Sequence, residues 1–137
     1  MKKLILLLLI AASALTISSC KKDKAPTENP AEAVKAKVLG KWNFESGTII
    51  TTNPPNPEKT ENLTGRPGMY FEFRTNGISF NNLEGDAEEP YTVTSNTSMR
   101  IGDYTYNIKE LTANRFVIES VQSNNTTTSR FTMILNR

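Results

Sequence analysis

In short runs between Trp42 and Phe131, apolar side chains recur at every second residue, and this region holds every Trp, Tyr and Phe in the chain. A period of two belongs to a half-buried β-strand, whereas a core-facing helix repeats at 3.6. Trp42, Phe44, Thr48 and Ile50 alternate through a first strand, and Met69, Phe71 and Phe73 mark a second. Asn76-Gly77 is a hairpin signal leading into a third strand with Ile78 and Phe80. Tyr91 and Val93 set a fourth strand, and Met99 and Ile101 a fifth. Gly102-Asp103 turns the chain into a sixth with Tyr104, Tyr106 and Ile108. Phe116 and Ile118 carry a seventh, and Phe131, Met133 and Leu135 an eighth. Eight short strands joined mostly by tight turns predict an all-β antiparallel meander. Closing such a sheet on itself removes its exposed edges, so a small up-and-down barrel is favoured over an open sandwich.

A short helix precedes the strands. Asn29 supplies a cap and Pro30 a first-turn residue with a preset φ. Ala31 to Leu39 then predicts two turns, stopped by Gly40. The domain organisation expected is a leader over 1–19, a tether over 20–30 and one barrel domain over 31–137. The tether is charged, contains proline and lacks large apolar groups, which favours disorder. Fully extended, ten such residues reach roughly 35 Å.

The N-terminus specifies an address. Met1-Lys2-Lys3 is followed by an apolar run from Leu4 to Ala12 and by small residues from Ser13 to Ser19. This is the three-part form of a secretory signal. The run is shorter than the roughly 20 residues a membrane span needs. Ile17-Ser18-Ser19-Cys20 resembles the lipobox of bacterial lipoproteins, in which the cysteine is acylated on sulfur and amine and becomes the first mature residue. Cys20 is the single cysteine of the chain, so no disulfide partner competes for it. The resemblance implies a membrane anchor at Cys20. With Lys21 rather than aspartate next in sequence, it also implies the outer membrane, on a face left open.

Removal of the leader changes the charge. The chain has 16 basic and 14 acidic side chains, and loss of Lys2 and Lys3 leaves the remainder formally neutral. No basic excess supports nucleic-acid binding. Histidine is absent, and lipidation consumes the thiol. Zinc and haem sites, histidine acid–base chemistry and cysteine nucleophiles thus lose their usual residues. No phosphate loop, nucleophile elbow or metal motif is present. The expectation is a non-enzymatic protein without metal or cofactor. The four carboxylates between Leu83 and Pro90 (Glu84, Asp86, Glu88 and Glu89) form a solvated acidic turn, in an order unlike a calcium loop.

The motif Gly40-Lys41-Trp42 after a short helix resembles the Gly-x-Trp entrance of lipocalins. Tyr70-Phe71-Glu72-Phe73 through Asn76-Gly77, and Met133 through Arg137, extend the likeness to the short lipocalin-like lipoproteins of Bacteroidetes-type bacteria, over residues 33–137. The resemblance implies a closed barrel end built on Gly40 and Trp42, with Arg137 (or Arg130) covering the indole. It also implies a ligand at the open end, beneath a lid formed by Thr51 to Gly68. The expected base holds Phe73, Ile78, Ile108, Phe116 and Leu135, with Asn82, Ser120 and Ser129 among the inward groups above. The residues expected to line the ligand are Thr48, Ile50, Met69, Tyr91, Tyr104, Gln122 and Phe131. A small apolar or amphipathic molecule is the first expectation, and an envelope protein docking on a filled barrel the second. Internal volume separates them, since a connected cavity below roughly 300 Å³ is too small for a usual ligand pocket.

Overall fold

The computed structural model describes residues 29–137; the expected leader over 1–19, Cys20 and the expected tether through residue 28 lie outside the described residues. The described residues open with helix α1 (Pro30–Val38), capped by Asn29, whose side-chain oxygen accepts from the Ala31 amide at 3.1 Å. Nine strands follow: β1 (Gly40–Thr52), β2 (Lys59–Thr64), β3 (Tyr70–Phe73), β4 (Ile78–Asn81) and β5 (Ala87–Val93), then β6 (Ser98–Ile101), β7 (Tyr104–Leu111), β8 (Arg115–Ser123) and β9 (Thr128–Asn136). From β3 to β9 each strand pairs antiparallel with the next, and β9 returns to pair with β1. The sheet therefore closes as an eight-stranded up-and-down barrel preceded by one short helix, as the alternation predicts.

The ninth strand, β2, is an addition. The segment expected as an irregular lid instead folds back on β1, pairing Ser46 with Thr64 through to Thr51 with Lys59. On the same side of β1, β3 takes over the pairing at Asn43 and continues to Gly40. β2 and β3 thus form one interrupted strand, broken by residues 65–69. All of β2 is exposed, and no pairing joins it to β4. The barrel is closed around its lower half and parted at its mouth, between β2 and β4.

The core fills the closed end. Trp42, Phe73, Met99, Phe116, Ile118, Met133 and Leu135 are fully buried or nearly so. Trp42 lies 5.4 Å from Phe116, and Phe73 6.0 Å from Phe116 and 5.1 Å from Tyr91, centroid to centroid. The tilted and edge-on packing suits the ring quadrupoles. The Trp42 indole N–H donates to the Val38 carbonyl at 2.8 Å, fastening the end of α1 beneath the barrel. Arg137 lies 3.8 Å over the same indole and donates to the Leu39 carbonyl. Its burial pulls the guanidinium pKa below the ordinary arginine value.

Two local irregularities change which side chains face inward. In β1 the register against β9 shifts between Phe44 and Ser46, leaving Glu45 as an extra residue. Beyond it Gly47 and Ile49 share the inner face with Met133 and Phe131, while Thr48 and Ile50 face outward with Thr132 and Arg130. In the β3–β4 hairpin, Arg74 pairs with Ile78 around three loop residues ending in Gly77 at φ 80°. A two-residue turn sets Phe80 opposite Phe73; the three-residue form sets Ser79 there instead. One residue of slip exchanges the faces of a strand. Ser79 is thus buried, whereas Ile78 and Phe80, expected inside, face outward. Phe80 packs on Tyr70 at 5.4 Å, with Lys41 and Arg74 over the two rings.

Candidate functional site

The parted mouth encloses a cleft of about 810 Å³. One wall comes from β1, β2 and β9 through Phe44, Ile49, Leu63 and Phe131; Met69 and Leu83 close it from the facing loops. Two sequence features create this space. The bulge at Glu45 turns Ile49 inward, and Gly47 leaves room for Phe131 to cross β1. A Cβ on Gly47 would stand only 3.0 Å from the Phe131 ring and 3.4 Å from that of Phe44. Charges sit on the lips. Arg66 lies on one side, with Glu84 and Asp86 on the other, in the loop between β4 and β5.

Phe131 divides this cleft from a second recess of about 320 Å³, on the β7–β8 side of the mouth. Its lining is polar: Tyr104, Tyr106, Ser120, Gln122 and Ser129, with Phe131 as the remaining wall. Ser120 is 5% exposed and Tyr106 9%. Among the described residues neither hydroxyl has a protein hydrogen-bond partner, and no polar atom is fully enclosed without one. Both oxygens therefore open onto the recess. Burial, with lesser contributions from the charge of Glu89 and from Tyr104, pushes the Tyr106 phenol up to about 12. It stays a neutral donor.

The residues expected to line a ligand divide into three groups. Met69 and Phe131 lie in the cleft, and Tyr104, Gln122 and Phe131 in the recess. Tyr91 belongs to the core, where its hydroxyl donates to the Arg74 carbonyl at 2.8 Å. Thr48 and Ile50 face away from both spaces, for the register reason given above; the Thr48 hydroxyl instead meets the Asn62 side chain of β2 at 3.3 Å. Asn82, expected inside, braces the loop before β3 by accepting from the Tyr70 amide and donating to the Gly68 carbonyl. Ile49, Phe44, Leu63 and Leu83 were missed. The available signal was Gly47, because an isolated glycine in a strand pattern marks a bulge or a close backbone approach.

The acidic turn also divides. Glu88 is drawn outward to Arg74 at 2.5 Å. Glu89, opposite buried Ser79, faces inward, and its carboxylate lies over the bare Cα of Gly102, where a Cβ would meet it at 2.6 Å.

In three dimensions the chain is similar to a deswapped triple mutant of bovine odorant binding protein, with a TM-score of 0.45, 16% sequence identity and 74% of each chain covered. No protein-family model matches the sequence, and no curated protein matches it.

Proposed function

We propose that this protein is a lipid-anchored, lipocalin-like binding protein of the bacterial envelope, holding a small apolar or amphipathic molecule at its barrel mouth. The observation that carries the binding reading is the cleft, whose 810 Å³ falls within the usual range for ligand pockets of roughly 300–1,000 Å³. A barrel filled from end to end would favour a surface for an envelope partner; this one is filled only at its base. The anchor rests on the lipobox-like Ile17-Ser18-Ser19-Cys20, with the outer membrane as the favoured site. Three acyl chains exceed the single-chain regime of marginal, reversible attachment.

The barrel strands, α1 and the buried core of the described residues lie within residues 30–137, so the chain from Lys21 onward carries the barrel. Native mass spectrometry of that protein purified from its host is expected to show a bound small molecule. It should also take up the neutral fluorophore N-phenyl-1-naphthylamine, and Leu63→Asp in the exposed arm should weaken uptake at least tenfold. Recovery without ligand, together with no fluorophore uptake, would reject the binding reading and leave the assembly module. Labelled palmitate should enter the full-length protein and be lost in Cys20→Ala; labelling that persists would remove the anchor.

A further inference from the structure

We propose that the recess beside Phe131 is the head-group subsite of the mouth, and that its occupant is an uncharged amphiphile, an apolar chain ending in a hydroxylated head such as a glycerol monoester. This rests on the binding reading above and names the chemical class of its ligand.

Three neighbouring strands build the recess. Tyr104 and Tyr106 stand two residues apart on β7 and so share a face, as do Ser120 and Gln122 on β8, and Ser129 and Phe131 on β9. Register sets Ser120 opposite Phe131 and Gln122 opposite Ser129. The inner wall is thus polar at the mouth, where the same face lower down holds Phe116 and Ile118 on β8 and Met133 and Leu135 on β9. Tyr106 and Ser120 are each at least nine-tenths buried, and their hydroxyls have no protein partner among the described residues. Ser79, the other buried serine, spends its hydroxyl on the Glu89 carbonyl. A hydroxyl withdrawn from bulk water without a partner costs free energy that an apolar side chain would not. Such groups converging on a small cavity are the usual means of fixing a ligand's orientation.

The lining selects a neutral head. No side chain of the recess carries a charge, and its five polar ones can each donate and accept, four through hydroxyls and one through its amide. A hydroxylated head does the same, so each of its hydroxyls can find both kinds of partner. A carboxylate only accepts and an ammonium only donates. Either would also give up hydration to a wall that holds no opposite charge. The charged groups of the mouth, Arg66, Glu84 and Asp86, sit instead on the lips of the larger cleft. The apolar chain has its place there. Phe131 borders both spaces, so one molecule passing its ring can set its chain among Ile49, Leu63 and Met69 while its head lies in the recess.

The test is displacement of N-phenyl-1-naphthylamine from the chain beginning at Lys21 by monolauroylglycerol, methyl dodecanoate, dodecanoate and dodecylamine. These probes share the length of their apolar chain and differ in head. Monolauroylglycerol is expected to displace at about tenfold lower concentration than methyl dodecanoate, the increment of one or two neutral hydrogen bonds, and to surpass both charged probes. Tyr106→Phe and Ser120→Ala should each reduce this preference. Together they should erase it, with fluorophore uptake and displacement by methyl dodecanoate unchanged. Leu63→Asp in the cleft should weaken all four probes and leave their order intact. Equal displacement by the glycerol and methyl esters, preference for either charged probe, or a preference that survives the double variant would overturn the proposal. Failure of the fluorophore to bind at all strikes the binding reading itself, so the two failures are told apart.

Discussion

The two ends of this barrel use similar residues for opposite purposes. At the base, aromatic rings meet one another, and the polar groups among them are bonded. The Trp42 N–H reaches Val38, the Tyr91 hydroxyl reaches Arg74, and the Ser79 hydroxyl reaches the Glu89 carbonyl at 3.1 Å. At the mouth, aromatic rings face space. Phe131 stands between two cavities, and Tyr104 is 47% exposed. The hydroxyls of Tyr106 and Ser120 have no protein hydrogen-bond partner among the described residues. The difference arises from how the strands end. β1, β7, β8 and β9 run the height of the barrel, but β3, β4 and β6 are four-residue strands confined to part of it. Short strands suffice to seal one end and leave the other parted.

The largest effect expected from breaking this contrast is at Phe116, which is fully buried against Trp42 and Phe73. Phe116→Ala should cost about 3–5 kcal/mol in denaturant unfolding, from lost transfer energy plus an unfilled cavity. That is a large share of the about 5–15 kcal/mol holding a typical domain. Phe131→Ala, the same truncation at the mouth, should cost less than half as much, because its ring already borders open space. It should instead weaken fluorophore uptake. Equal losses at the two positions would mean that the ends do not differ in packing.

Arg137 tests the base from outside. Its guanidinium lies on the Trp42 indole and holds the carbonyl end of α1. Arg137→Ala should lower stability by about 1–2 kcal/mol, combining cation–π contact with a charge-assisted hydrogen bond. Arg137→Lys should recover only part, since an ammonium cannot stack and fork at once. Binding at the mouth should remain unchanged in both variants.

The same contrast governs what was legible in the sequence. The base follows from alternation alone, because a buried face must be apolar at every second residue, and Trp42, Phe73, Phe116 and Leu135 all obey. The placement of Arg137 beside Trp42 follows from closing the meander, which brings the end of β9 to the start of β1. The mouth depends on single-residue irregularities that alternation cannot see. One extra residue at Glu45 replaced Thr48 and Ile50 with Gly47 and Ile49 on the inner face, and one extra loop residue before Ile78 replaced Phe80 with Ser79. β2 gave no periodic signal because both its faces are wet. Its hairpin with β1, rather than burial, makes it a strand. Glu89 looked like one more acid in a solvated turn until register placed it opposite Ser79.

The smallest expected effect separates two tyrosines that differ in what their hydroxyls touch. Burial raises the phenol pKa of both Tyr91 and Tyr106, but among the described residues only Tyr91 of the two donates to a protein carbonyl. At neutral pH Tyr91→Phe should cost about 1 kcal/mol for the lost bond and the carbonyl left behind. Tyr106→Phe should cost almost nothing, because its hydroxyl faces the recess. Alkaline pH reverses the order of interest. An unfolded Tyr106 loses its proton near its ordinary value of 10.0, while the folded form keeps it up to about 12. Above pH 10 the unfolded state therefore binds fewer protons, and stability falls as pH rises. The contribution of Tyr106 is fully present below that point and lost on approach to pH 12. Tyr106→Phe should then show a shallower decline over this window than the parent protein, in urea unfolding at matched ionic strength. A decline of unchanged slope would mean that the Tyr106 phenol is as well solvated as in the unfolded chain, and that the recess is open water rather than a formed site.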